Sequence, residues 1–233
     1  MRTLVFQGYM WSYILGNANK SFAINKLKKR GTNKEKLELM DRIILRCTKR
    51  LIKISGADLI ITGTENIPSD EPVLYVGNHQ SHLDIPILYS TAPQTMAFVA
   101  KKEMEKIPLL GFWMKERGCV FINRDNARSS LQAINQAIEG LKLGDSIAVF
   151  PEGTRSKGPE IGDFKSGSLR IAIKSGVKVI PVTFKDSYKL INKRGRNTPA
   201  KVSIHYSDPI DSSNFKNTND LATTVLTQIE KHL

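Results

Sequence analysis

From about residue 56 onward, short apolar runs rich in β-branched residues alternate with stretches of helical period. Strands are predicted at Leu59-Ile60-Ile61-Thr62, Val73-Leu74-Tyr75-Val76, Met96-Ala97-Phe98-Val99, Cys119-Val120-Phe121-Ile122, Ile147-Ala148-Val149-Phe150, Val179-Ile180-Pro181-Val182 and Val202-Ser203-Ile204-His205. Helices fit between several of them, near 83–90, 103–116, 127–142 and 167–175, with another after the last strand near 218–231. The alternation implies an α/β fold, a mostly parallel sheet flanked on both faces by helices. Pro181 has no N–H for a ladder, so its strand is expected at an edge or in an irregular position.

Before residue 56 the period is helical. Leu37, Met40, Ile44, Cys47, Leu51 and Ile54 recur at alternating spacings of three and four, and Arg42, Arg46, Lys49 and Lys53 form a second stripe roughly 160° away. That pattern is a basic amphipathic helix. The run from Leu4 to Leu15 is aromatic and uncharged, but as a helix it measures only about 20 Å, short of a bilayer's hydrocarbon core. The basic cluster follows this run instead of preceding it, unlike a signal peptide. An N-terminal amphipathic helical pair lying on a membrane surface is therefore expected. Tyr9, Trp11 and Tyr13 then sit at headgroup level, and Lys26, Lys28, Lys29 and Arg30 meet anionic lipid from the connecting turn. The competing arrangement packs the two helices on the globular part, or on each other, with the basic face merely solvated.

Charge sharpens this division. The chain of 233 residues carries a net +13, and residues 1–53 hold 13 Lys or Arg against Glu35, Glu38 and Asp41. Most of the excess thus lies in one amphipathic region, and no nucleic-acid-binding motif accompanies it, which disfavours a nucleic-acid partner. Two cysteines far apart, Cys47 and Cys119, make no disulfide framework and suit a reducing compartment on the cytoplasmic side.

The candidate chemistry begins at Asn78-His79-Gln80-Ser81-His82-Leu83-Asp84, which follows a strand, where α/β proteins place their sites. On one continuous helix His79 and Asp84 are about 140° apart and do not meet, so a turn must intervene. With Asp84 just inside the helix, its carboxylate can accept the imidazole N–H and leave the other nitrogen to take a proton. A metal site through His79, His82 and Asp84 has the ligand types, yet no further cluster completes it. Ser81 lacks the Gly-x-Ser-x-Gly elbow of a nucleophile. A plain solvated loop capping a helix accounts for the same string.

A second motif, Phe150-Pro151-Glu152-Gly153-Thr154-Arg155-Ser156, also follows a strand. The ordered pair, His-x-x-x-x-Asp and then Phe-Pro-Glu-Gly-Thr-Arg-Ser, resembles the glycerolipid acyltransferase family, and within it the 1-acylglycerol-3-phosphate acyltransferases. Gly118-Cys119-Val120-Phe121-Ile122-Asn123-Arg124, Ala100-Lys101-Lys102-Glu103 and Val179-Ile180-Pro181-Val182 extend the likeness over about residues 56–190. With the N-terminal segment read from its own charge and periodicity, the chain is expected to divide into a membrane-associating helical segment over 1–55 and an acyltransferase domain over 56–233. The resemblance implies transfer of an acyl chain from an acyl carrier protein or coenzyme A thioester to lysophosphatidic acid, with no cofactor and no metal. Relatives that use glycerol-3-phosphate or another lysophospholipid are the nearest alternatives.

Independently of the family, His79, Lys101, Arg124 and Glu152 follow four different strands at their carboxyl ends, which in an open α/β sheet face a common crevice. His79 is expected as general base oriented by Asp84; Arg124, Arg155 and Lys101 offer cations for an acceptor phosphate, a role that the resemblance assigns to the arginine of each motif. Glu152, Gly153 and Thr154 are expected to shape the acceptor site, and Lys165-Ser166-Gly167 to meet an anion at the next helix. The segment from Lys193 to Leu233 carries no motif that bears on chemistry.

Overall fold

The computed structural model describes residues 1–123 and 126–233. Eight strands form one sheet: β1 Ala57–Thr62, β2 Val73–Gly77, β3 Met96–Lys101, β4 Val120–Ile122, β5 Ser146–Val149, β6 Lys178–Lys185, β7 Ala200–Tyr206 and β8 Ile210–Asp211. The order is β1-β7-β6-β2-β5-β3-β4, with the short β8 also on β6. Strands β6, β2, β5, β3 and β4 run parallel, while β7 and β8 pair antiparallel to β6 and β1 runs parallel to β7.

Side chains on β2 show why its apolar run is unbroken. Val73 and Tyr75 pack into one core with Phe98, Ile180 and Phe184, beneath α4 (Asp84–Thr91) and part of α3 (Asn33–Ser55). Leu74 and Val76 point the other way, into a second core with α6 (Ala127–Lys142), α7 (Arg170–Ser175) and α8 (Thr218–Glu230). A strand covered on both faces has no polar alternation to display.

Pro181 meets the second of its two expected settings, an irregular position, and not the first, an edge. Its strand β6 is interior, flanked by β2 on one side, where Val76 faces Pro181, and by β8 and then β7 on the other. The proline sits between residues 178–179, paired with β8, and 182–185, paired with β7, where β6 changes partner. Its carbonyl still accepts from Ser207 N–H at 3.0 Å. Two expected helices are also broken. The stretch near 103–116 is a 3₁₀ turn at Lys102–Lys106 followed, beyond Pro108, by α5 (Leu110–Glu116). The stretch near 167–175 begins as a 3₁₀ turn at Ser166–Leu169.

The N-terminal segment is three helices, not a pair: α1 (Arg2–Gly16), α2 (Lys20–Lys29) and α3. Lys26, Lys28 and Lys29 therefore belong to a helix, with Arg30 at its C-cap, instead of a turn. The apolar stripe of α3 turns inward, with Met40 and Leu51 buried, and its basic stripe is exposed. Tyr13 also turns inward and donates to the Ile43 carbonyl at 3.1 Å. Asp41 anchors α3 to the rest: it accepts from Tyr89 Oη of α4 at 2.6 Å and pairs with buried Arg117 at 2.5 Å. Leu4, Val5, Trp11, Leu15 and Phe22 remain exposed on α1 and α2. Among the described residues no helix is long and apolar enough to cross a membrane.

Candidate active site

Strand β2 delivers Asn78, His79 and Gln80 at its carboxyl end, and the two neighbours of His79 act as pegs. The Asn78 amide bridges Phe184 of β6, donating to its carbonyl at 2.9 Å and accepting its N–H at 2.7 Å. Gln80 Oε1 accepts the Ser187 N–H at 3.1 Å. Both pegs are buried, so the backbone between them is held and the His79 side chain projects from a fixed base.

The turn required by the spacing is present. Asp84 is the first residue of α4, and its Oδ2 lies 2.8 Å from His79 Nδ1. The same oxygen accepts the N–H groups of Gln80 and Ser81, each at 2.8 Å, and Oδ1 accepts the Ser187 hydroxyl at 2.5 Å. Asp84 is fully buried, and its charge sits at a helix N-terminus facing three N–H donors. A carboxylate on Nδ1 places the proton there and leaves Nε2 of the neutral ring as the acceptor. The imidazole is 14% exposed and stacks on Phe150, with ring centroids 4.3 Å apart.

Glu152 ties the second motif to the first. One carboxylate oxygen accepts the His79 N–H at 2.6 Å and the other accepts the Gly162 N–H at 2.6 Å. Burial raises its pKa even though those two N–H groups pull the other way. A Cβ at Gly162 would fall 2.8 Å from Glu152 Oε2, so a side chain there would displace the carboxylate. Gly153 takes φ +71°, the left-handed conformation that lets the chain turn directly after Glu152. The loop then returns to the first motif, where Ser156 N–H donates to the His79 carbonyl at 2.8 Å. Arg155 Nη1 lies against the His82 ring, 3.0 Å from Nε2. Burial first, and then this guanidinium, lower the pKa of His82.

The structure thus brings His79, Asp84, Glu152 and Arg155 into one interlocked cluster. Thr154 follows in the same loop with its side chain exposed. Lys101 ends β3, one strand beyond β5, at the same edge of the sheet, and is exposed. Lys165 is exposed as well, its N–H on the Pro151 carbonyl at 3.3 Å, and it precedes a 3₁₀ turn instead of a helix N-terminus. Arg124 lies outside the described residues. Among those described, no group of three His, Cys, Asp or Glu side chains is placed to hold a metal ion.

Ser187 is a site residue that the motifs did not reveal. It follows β6, which is parallel to β2 and ends at the same edge, so β6 contributes there as well. Ser81 is also explained: buried, it gives its N–H to Asp84, and its hydroxyl accepts from Leu83 N–H at 3.3 Å.

Past His79 the loop runs through His82 and Leu83 into the wall of an apolar cavity of about 480 Å³. Phe6 and Ile14 of α1, Ile44 and Leu51 of α3, and Trp113 of α5 line it with Leu83. His82 and Asn197 add polar groups to this wall, as do Thr3 and Gln7 of α1, Asn17 at its C-cap and Thr48 of α3, and the remainder offers hydrocarbon surface.

Known proteins are similar to this chain in sequence and in fold. The Acyltransferase family profile matches residues 58–185. The 1-acyl-sn-glycerol-3-phosphate acyltransferase of Borreliella burgdorferi is 34% identical over 191 residues, covering 80% of this chain and 76% of that protein. The chloroplastic enzyme LPAT1 of Arabidopsis thaliana, described as a 1-acyl-sn-glycerol-3-phosphate acyltransferase, is 42% identical over 156 residues, covering 66% of this chain and only 44% of that longer protein. The crystal structure of the 1-acyl-sn-glycerophosphate (LPA) acyltransferase PlsC from Thermotoga maritima superposes with a TM-score of 0.77 at 32% identity, over 99% of this chain and 95% of that one. With the profile spanning more than half of its length and the fold shared almost end to end, the chain belongs to the acyltransferase family.

Proposed function

We propose that this protein transfers a fatty acyl group from a thioester to the free hydroxyl of lysophosphatidic acid, forming phosphatidic acid. The observation that carries this reading is a histidine with its Nδ1 held by a buried carboxylate, on a loop that continues into the wall of an apolar cavity. A proton acceptor beside hydrocarbon surface suits a reaction whose substrates pair a hydroxyl with an acyl chain. His79 Nε2 takes the hydroxyl proton as the oxygen attacks the thioester carbonyl carbon. The carbon–sulfur bond then breaks and the thiolate leaves, taking up a proton.

Transfer is direct, with no acyl-enzyme. The Ser81 hydroxyl is buried and engaged in the turn. Burial pushes the Cys47 and Cys119 thiols up to about 11, so neither is a thiolate near neutral pH. Arg155 meets the acceptor phosphate, with Lys101 and Arg124 as further cations. Glu152 acts through the His79 backbone, as a positioning residue. The thioester is that of acyl carrier protein or coenzyme A. Residues 1–55 hold the enzyme on the cytoplasmic membrane surface through the exposed apolar side chains of α1 and α2 and the basic stripe of α3.

The test is an acceptor screen. Purified protein with one labelled acyl thioester is expected to acylate lysophosphatidic acid in preference to glycerol-3-phosphate or phosphate-free lysolipids. Preference for glycerol-3-phosphate would reassign the acceptor, and inactivity with every donor and acceptor would overturn the reading.

A further inference from the structure

The connection between β6 and β7 is a tight basic hairpin that no motif marks. Ile191 and Asn197 bridge as an antiparallel pair, and Asn192 Oδ1 accepts the N–H groups of Arg194 and Arg196, each at 3.0 Å. Gly195, at φ +72°, closes the turn. A loop built this way is pre-shaped, and it holds out Lys193, Arg194 and Arg196, all exposed and none paired with an acid among the described residues. Elsewhere on the surface Lys102, Lys142, Lys178 and Lys189 do have acidic partners.

Two observations say what this hairpin meets. Because β6 is parallel to β2, the hairpin springs from the edge of the sheet that carries His79, only a few residues after Ser187 touches Asp84. It also abuts the start of α1: Asn197 N–H donates to Thr3 Oγ1 at 2.7 Å, and Gly195 and Asn197 share the cavity wall with Thr3 and Phe6. Beside Thr3, Leu4 is 77% and Val5 52% exposed. Unpaired cations next to exposed apolar side chains are the pairing that an anionic bilayer surface satisfies, with headgroups on the former and acyl chains around the latter.

We infer that Lys193, Arg194 and Arg196 form a second membrane contact, outside the N-terminal helices, that seats the His79 edge of the sheet against anionic headgroups. An acidic carrier protein offers charge alone and leaves Leu4 and Val5 in water, so the bilayer is the better fit. The inference rests on the membrane-surface reading of the N-terminal segment. It adds orientation: contacts at both α1 and the hairpin direct the cavity mouth toward the lipid.

The test is sedimentation of the full chain with vesicles of phosphatidylglycerol and phosphatidylcholine, comparing wild type with Lys193→Gln/Arg194→Gln/Arg196→Gln. Asn192 and Gly195 stay, so the turn is kept, and circular dichroism and thermal melting check the fold. A charge-matched control, Lys142→Gln/Arg170→Gln/Lys174→Gln, removes three cations from α6 and α7 on the opposite face of the sheet. The hairpin variant is expected to lose about fivefold in partition per residue, on the order of a hundredfold in all, while the control stays within about threefold. The difference should shrink as salt rises. Equal loss in both variants, or no loss in the hairpin variant, overturns the inference. Unchanged vesicle binding with a raised KM for an acyl carrier protein thioester would give the hairpin to the carrier instead. Failure of wild type itself to bind these vesicles would sink the underlying membrane reading.

Discussion

Asp84 offers a substitution pair whose outcomes separate holding the loop from driving the chemistry. Its carboxylate accepts three N–H groups at 2.8 Å and one hydroxyl at 2.5 Å, with no solvent exposure. Asp84→Ala strands the N–H groups of Gln80 and Ser81 in the interior, at about 1–3 kcal/mol each, so a loss of roughly 2–6 kcal/mol is expected. That is a large share of a typical domain's stability of about 5–15 kcal/mol. Asp84→Asn behaves differently. Its amide oxygen can take the side facing His79, Gln80 and Ser81, and its NH₂ then faces Ser187, whose hydroxyl turns to accept. Every donor keeps an acceptor, so stability should fall by no more than about 2 kcal/mol, reflecting charged bonds made neutral. Turnover should nevertheless fall by about 10²- to 10⁴-fold, because the imidazolium formed on proton transfer loses its counter-charge. Denaturant unfolding of both variants, with turnover at saturating acceptor, measures the two effects separately. Near-normal turnover in Asp84→Asn would refute the role of the charge. Equal destabilisation of the two variants would refute the reorientation of Ser187.

Three further outcomes are expected. His79→Ala should lower turnover by about 10²- to 10⁴-fold with little change in the unfolding midpoint, and retained turnover would remove His79 as base. Arg155→Ala should raise the KM for lysophosphatidic acid by roughly one to two decades, the worth of a charge-assisted bond of about 1.5–3 kcal/mol, while sparing the acyl donor; equal loss with a phosphate-free acceptor would make the arginine structural. Cys47, raised from 9.0 to about 11 by burial, gives a pH-dependent term: the unfolded thiol ionises first, so the stabilisation is complete below about pH 9 and lost as pH rises through 11. The fall in unfolding free energy between pH 8.5 and 11 should therefore be shallower in Cys47→Ala, by on the order of 2 kcal/mol, and parallel curves would contradict the burial of the thiol.

Much of the architecture was legible because it follows from local rules. All seven strands read from apolar runs are present, and α6 and α8 match their expected spans closely. The two-residue β8 was not legible, since a strand so short has no period of its own and exists only as a partner for Lys178 and Val179. The N-terminal segment was read as helical with the correct apolar and basic faces, but its division into three helices depends on packing. Ile24 and Met40 close around Trp113 from α5, a contact between residues far apart in sequence.

By itself the sequence determined where strands end, and hence that His79, Lys101 and Glu152 lie at one edge, because alternation of helical and strand periods leaves few topologies open. It also determined that a turn must separate His79 from Asp84, since helical geometry keeps the two apart. Tertiary structure alone decided that Pro181 lies in the middle of the sheet, tolerated because β6 changes partner there. It decided that Glu152 holds the His79 backbone, that Ser187 supports Asp84, and that a hairpin of unremarkable sequence stands beside Thr3. These contacts join residues 73 to 194 positions apart, and no local pattern encodes a distance that only the closing of the sheet brings within a hydrogen bond.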